Sequence, residues 1–155
     1  MKILFLGDVV GNSGCKAIQK NLPEIINKYS VDFTIINGEN SAKSGVGITQ
    51  EIVKNFISSG VNVITSGNHI WDQKEIMDFI DKENRLLRPE NLISNSPGKG
   101  FKIFNLKNKK IGVLNLMGNI FMKKCDDVFE VAKKFVQKYT LKKDYDFLVV
   151  DFHGE

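Results

Sequence analysis

Four short apolar segments recur along this chain, and each runs directly into glycine or polar residues. They are residues 2–6 (KILFL), 32–37 (DFTIIN), 61–66 (VNVITS) and 146–152 (DFLVVDF). An apolar run of this length, bounded by turn-forming residues, is typical of a buried parallel strand. Apolar residues at helical spacing predict intervening helices over 14–28, from Thr49 to Gly60, from Asp72 to about Asp81, and over 127–138. This alternation predicts an α/β fold.

The middle of the chain has a different pattern. Prolines and glycines within residues 86–100 predict a loop around a brief strand over residues 92–94. Residues 101–106 and 111–117 are β-rich and are joined by a polar KNKK tip, which predicts an antiparallel hairpin. Pro23 lies inside the first predicted helix, so we expect a kink or a break there. The overall expectation is parallel strands 1–3 followed by a hairpin.

Composition sets limits on the class of protein. The chain has 155 residues, 42% hydrophobic and 26% charged, as expected for one soluble globular domain. It lacks an apolar stretch long enough to span a membrane, and its N-terminus does not have the pattern of a secretory signal. Cys15 and Cys125 lie far apart and outside any CxxC pair, which favours reduced thiols and a cytoplasmic location. The net charge of +4 comes from scattered lysines, which suits solvated surfaces better than a nucleic-acid groove.

Polar side chains follow all four apolar segments. They are Asp8, Glu39, Asn40, Asn68, His69 and His153. If the strands are parallel, these groups converge at one edge, where ligands bind in α/β sheets. Carboxylate, amide and imidazole together suit manganese, iron or zinc, and a carboxylate can bridge two ions. A glycine beside the polar groups lets the backbone turn sharply.

Each of these residues also has a purely structural interpretation. Asp8 could cap the next turn, Glu39 and Asn40 could be turn residues, and Asn68 a satisfied loop amide. His69 could be a structural hydrogen-bonding group, and His153 an exposed terminal residue. One shared site accounts for all of them together, and both histidines of the chain fall at strand ends. A dinucleotide-binding turn at residues 7–14 is a weaker alternative, because neither GxGxxG nor GK[ST] occurs there.

Four motifs carry a resemblance to a known family. GDVVG at 7–11, NGEN at 37–40, GNHIWD at 67–72 and DFHGE at 151–155 resemble the YmdB-like branch of the calcineurin-type metallophosphoesterases. The first motif lacks the histidine of the wider superfamily's DxH, and Glu39 stands where aspartate is usual. Both departures are those of the YmdB-like branch. The resemblance implies a four-layer αββα sandwich and a metal-dependent phosphodiesterase acting on 2′,3′-cyclic nucleotides.

The same resemblance implies a role for each residue. Asp8, Glu39 and Asn40 would hold one metal ion, and Asn68 and His153 the second, with Glu39 bridging the two. His69 would donate a proton to the leaving oxygen. The iron or manganese pair would generate a hydroxide nucleophile and neutralise phosphate charge. An RNA-related role, and a homo-oligomer, are compatible with the resemblance.

The family's pattern also includes a late GxHxH-type motif, which this sequence does not contain. Each ion would then lack one histidine, and apolar sheet surface would be exposed. We therefore expect residues 1–155 to form one metallophosphoesterase domain that is C-terminally truncated or is completed by another chain. The alternative to an enzyme is a half-domain that binds phosphate, nucleotide or a partner without turnover.

Overall fold

Two three-stranded sheets lie face to face between layers of helix. The fold is described from a computed structural model, for residues 1–93 and 96–154. The strands are β1 (Ile3–Leu6), β2 (Phe33–Asn37), β3 (Val63–Thr65), β4 (Phe101–Leu106), β5 (Lys109–Met117) and β6 (Phe147–His153). The helices are α1 (Gly11–Tyr29), α2 (Gln50–Ser58), α3 (Ile76–Phe79) and α4 (Val128–Lys138).

Strand pairing divides the predicted strands between the two sheets. The first sheet has the order β1-β2-β3 and is parallel. The second has the order β4-β5-β6, with β4 and β5 antiparallel and β5 and β6 parallel. The parallel strands 1–3 and the hairpin are thus confirmed. The expectation that all four polar strand ends share one sheet edge is wrong, because β6 belongs to the second sheet.

Three apolar clusters confirm the four layers. On β2, Phe33 and Ile35 pack toward the second sheet, against Ile111 and Val113 of β5. Side chains alternate along a strand, so Ile36 faces the other way and belongs to the cluster that includes helices α1 and α2. On the far side of the second sheet, α4 packs on the alternate residues of β5. The order of layers is therefore α, β, β, α.

Helix α1 is continuous through Pro23, so the predicted break is wrong. Proline removes one backbone N–H and leaves the carbonyl of Gln19 without its helical partner. Both residues are exposed, so water can bind that carbonyl. The neighbouring Leu22 is buried in the core and holds the helix against the sheet.

Two other expectations also differ from the structure. The helix expected from Asp72 is confined to Ile76–Phe79, because the Asp72 carboxylate is bound to His69 and Lys123 instead of capping a helix. The brief strand expected at residues 92–94 is wrong at Leu92 and Ile93, which form bends, and Ser94 lies outside the described residues.

Two further features concern the thiols and the helices. Cys15 and Cys125 are both free thiols. Among the helices that the structure describes, none combines the length and apolar character needed to cross a membrane.

Phe56 tests the packing of α2 on the first sheet. Its side chain is 0% exposed, so Phe56→Ala should lower the free energy of unfolding by about 3–5 kcal/mol through lost burial and a cavity. Phe129→Ala, at a position 80% exposed, is the matched control and should change it by less than about 0.5 kcal/mol. Urea unfolding followed by circular dichroism measures both. Equal effects would contradict the assigned layers.

Candidate metal centre

The carboxyl ends of strands from both sheets bring the predicted site residues together. Asp8 follows β1, Glu39 follows β2, Asn68 follows β3, and His153 is the last residue of β6. Ligand atoms of Asp8, Glu39 and His153 all lie within 4.8 Å of one another. A site that the sequence predicts at one sheet edge is therefore built across two sheets.

Glu39 is the centre of this group. Its side chain is buried, with the whole residue only 1% exposed. Oε1 lies 2.9 Å from Nε2 of His153 and accepts a hydrogen bond of 3.2 Å from Nδ2 of Asn40. Oε2 accepts from the backbone N–H of His69 at 3.2 Å. Both carboxylate oxygens are thus engaged, as a buried charge requires.

His153 faces Glu39 from the second sheet. Its Nε2 also lies 3.2 Å from Oδ1 of Asn68, and its Nδ1 lies 4.0 Å from Oδ1 of Asp8. The hydrogen bond to Glu39 raises the pKa of the His153 imidazole, although burial opposes this, and nearby carboxylate charges add to the rise. Because a histidine binds a metal only in its neutral form, a metal ion here would displace the proton that Glu39 otherwise stabilises.

Asp8 and Asn40 form the more open side of the site. The Asp8 side chain is 42% exposed. Nδ2 of Asn40 donates to Asp8 and to Glu39, each at 3.2 Å, so this amide holds the two carboxylates together. To bind a metal through Oδ1, the Asn40 side-chain amide would have to rotate so that its oxygen and nitrogen exchange places. The capping alternative for Asp8 is wrong, because the N-cap of α1 is Val10 and no side chain caps it.

His69 lies beside the cluster and has partners of its own. Its Nδ1 lies 2.6 Å from Oδ2 of Asp72, and Lys123 donates to Oδ1 of Asp72 at 2.6 Å. Burial acts against the charge of Asp72, but the bonds to Lys123 and His69 outweigh it and hold the pKa of that carboxyl below its usual value. With Nδ1 engaged by Asp72, Nε2 is the ring nitrogen left to meet another group.

Sequence reasoning missed these partners of His69. It assigned Asp72 to a helix cap, although the spacing of His69 and Asp72 in GNHIWD is short enough to have signalled a pair. Lys123 has no such signal, because it is 51 residues from Asp72 along the chain.

A buried polar group directly beneath the site was missed as well. Nδ2 of Asn37 donates to Oδ2 of Asp151 at 3.3 Å, while the nearby Thr65 hydroxyl donates to the backbone oxygen of Ile36 at 3.4 Å. Burial raises the pKa of the Asp151 carboxyl, against the opposing effects of Thr65 and Asn37. The signal in the sequence was Asp151 itself, a carboxylate near the carboxyl end of an otherwise apolar strand.

Glycine is required at position 67 because the side chains of Glu39 and His153 lie against its backbone, and not because of its φ angle. The chain does turn at Gly38 and Gly67, whose carbonyls accept from the backbone N–H of Ser41 and Ile70, but neither glycine has a positive φ, so the turns do not require glycine for their backbone conformation. A Cβ on Gly67 would overlap the Glu39 carboxylate and the His153 ring. The oxygen and nitrogen atoms of Asp8, Glu39 and His153 surround a space that has the Gly67 backbone on one side, and such a set of ligands suits a divalent first-row metal ion.

Two sheets between helices, with carboxylate and imidazole groups at the strand ends, define a metallophosphoesterase-type sandwich. Within that class, the YmdB-like protein family matches residues 4–155, and the chain belongs to this family.

Individual relatives agree with that assignment. The chain is 43% identical over 155 residues to a Bacillus subtilis (strain 168) protein named 2′,3′-cyclic-nucleotide 2′-phosphodiesterase, covering all of this chain and 58% of that protein. A Mycoplasma pneumoniae structure described as a novel phosphatase has a TM-score of 0.89 and 35% identity, over 100% of this chain and 56% of its own. The NAD nucleotidase of Haemophilus influenzae shares the fold, with a TM-score of 0.62 and 15% identity, over 97% of this chain and 37% of its own. The chain thus spans little more than half the length of the relative with the named activity.

Substitution of Gly67 tests whether this space is a metal site. Gly67→Ala should lower the affinity for Mn²⁺ by at least about tenfold, since the added methyl group displaces Glu39 and His153. Gly7→Ala is the control, because a Cβ there meets nothing within 4 Å. Calorimetric titration of both variants with Mn²⁺ is the measurement. Unchanged affinity in Gly67→Ala would mean that the metal binds elsewhere.

Proposed function

We propose that this chain is the metal-binding part of a phosphodiesterase that hydrolyses 2′,3′-cyclic nucleotides with two metal ions, iron or manganese. The observation that carries the proposal is the convergence of Asp8 and His153 on the buried carboxylate of Glu39, with His69 beside them. The name of the Bacillus relative supports the substrate class. A 2′,3′-cyclic phosphate requires a ribose 2′-hydroxyl, so such a substrate derives from RNA.

In this proposal the ligands divide around Glu39. Asp8, Glu39 and Asn40 would hold one ion, and Glu39, Asn68 and His153 would hold the other. The contacts of Glu39 with groups from both sets support its role as the bridge. Bound there, the ions supply an activated nucleophile and neutralise the phosphate charge.

The chain's own acid is His69. As the bond from phosphorus to the ribose oxygen breaks, that oxygen needs a proton, since an alkoxide is a poor leaving group. Asp72 accepts a hydrogen bond from the Nδ1–H of the protonated His69 ring and so stabilises that ring until Nε2 delivers its proton. Lys123 holds the other oxygen of Asp72, which keeps that carboxylate charged and in place.

The resemblance assigns each ion a further histidine from a late GxHxH motif, which residues 1–155 do not contain. Because the chain covers 58% of the Bacillus relative, we propose turnover for the whole protein. The second candidate is binding of phosphate or nucleotide without turnover at the same cluster of Asp8, Glu39 and His153. A cytoplasmic location is supported by the free thiols of Cys15 and Cys125.

Metal removal tests the catalytic centre. Treatment of the whole protein with a chelator should abolish hydrolysis of bis(4-nitrophenyl) phosphate, and Mn²⁺ should restore it. Glu39→Gln should prevent the recovery, because the bridging charge is lost, whereas Glu51→Gln on the exposed start of α2 should recover fully. Activity that survives chelation with no metal detected by elemental analysis would rule out the proposed reaction.

The role of His69 is tested by changing the leaving group. His69→Ala should lower kcat for 2′,3′-cyclic AMP by about 10²–10⁴-fold. Its effect on bis(4-nitrophenyl) phosphate should be far smaller, since 4-nitrophenolate leaves without a proton. Bound Mn²⁺ should be unchanged in both assays. An equal loss on the two substrates, or a loss of metal, would make His69 a ligand or a structural residue and not the acid.

A further inference from the structure

We propose that Asp151 is a positioning residue that sets the separation of Glu39 and His153 through its hydrogen bond to Asn37. The inference rests on the proposed function, because it concerns the same metal centre. Asp151 is not among the predicted ligands. It lies two residues before His153 on β6.

A metal centre needs its ligands at a fixed separation, and a contact made by Asp151 can fix the separation of Glu39 and His153. Glu39 comes from the first sheet and His153 from the second, and no strand of the described residues is shared between the sheets. The contacts between the sheets are largely apolar, as at Phe33, Ile35 and Val149. Apolar contacts are non-directional, whereas metal–ligand distances are defined to about 0.2 Å. The contacts of His153 with Glu39 and Asn68 use the ligand atoms themselves, so a directional contact outside the ligand set is needed to hold the two strands in place.

Asp151 supplies that contact. Residues 151 and 153 face the same side of β6, so both side chains point between the sheets. Asp151 is 8% exposed, and its Oδ2 accepts from Nδ2 of Asn37 at 3.3 Å. Oδ1 of the same Asn37 accepts from the backbone N–H of Glu39 at 3.1 Å. One side-chain pair thus connects the strand that bears His153 to the backbone of Glu39.

Asn115 on the neighbouring strand β5 makes a second polar connection between the two sheets. It is buried, and β5 and β6 pair so that Asn115 lies opposite Asp151. Its Oδ1 accepts from the backbone N–H of Ser66 at 2.9 Å, and its Nδ2 donates to the backbone oxygen of Asp151 at 3.4 Å. Ser66 directly precedes Gly67, so the end of the first sheet's third strand is held as well.

The burial of the Asp151 carboxylate indicates that its hydrogen bond is needed. A buried carboxylate is less favourable than an apolar side chain of similar size unless its hydrogen bonds are made. Within the described residues, no buried side-chain nitrogen or oxygen lacks a partner. The ligand cluster consists of Asp8, Glu39 and His153, while the Asp151 carboxylate is held by Asn37. Asp151 therefore acts through the ligands and not as one of them.

An exchange of the two side chains tests the inference in the whole protein. Asn37→Asp places two carboxylates against each other and should lower Mn²⁺ affinity by about 10–100-fold. Adding Asp151→Asn recreates the hydrogen bond with donor and acceptor exchanged, and should return the affinity to within about threefold of wild type. Asp151→Leu, which cannot make the bond, should lose affinity like Asn37→Asp. Calorimetric titration with Mn²⁺ is the measurement, and thermal unfolding shows that each variant is folded.

Asp146→Leu is the matched control for loss of a hydrogen bond at the other end of β6. The Asp146 carboxylate accepts from the backbone N–H of Lys110 at 2.8 Å, far from the site, so Mn²⁺ affinity should be unchanged. Folded Asp151→Leu with wild-type affinity, or an exchange variant that does not recover, would overturn the inference alone. A wild-type protein that binds no Mn²⁺, Fe²⁺ or Zn²⁺ would instead overturn the proposed function.

Discussion

The buried carboxylate of Glu39 is the group on which the rest of this site depends. A carboxylate removed from water is unfavourable unless other groups compensate its charge. Here the compensation comes from the His153 ring, the Asn40 amide and the backbone N–H of His69. The same requirement explains Gly67, where any side chain would separate Glu39 from His153.

Exposure of the side chains around Glu39 increases from one side of the cluster to the other. The side chain of Glu39 is nearly inaccessible, that of His153 is mostly covered, and Asp8 and His69 are partly open. The open side thus carries one predicted ligand and the predicted acid. The phosphodiester substrate proposed above would meet both groups from this side. Lys123 adds a positive charge on the same side through its bond to Asp72.

The sandwich architecture makes the metal centre sensitive to how the sheets sit on each other. Side chains from both sheets contribute, so a shift of one sheet changes distances at the site directly. Tight apolar packing resists separation but defines relative position less well than directional hydrogen bonds. The polar residues beneath the site, Asn37, Asp151 and Asn115, are placed where such bonds have most effect.

The sequence by itself determined the local features of this protein. Apolar runs that end in glycine and polar residues predicted the strands and the residues at their ends, and the KNKK tip predicted the hairpin, because these are short-range properties of backbone and side chain. Tertiary structure decided the assignment of β6 to the second sheet and the continuity of α1 through Pro23. It also decided the partners of His69 and the pairing of Asn37 with Asp151, which are 114 residues apart. Periodicity carries no record of such contacts, because they exist only after packing has brought distant segments together.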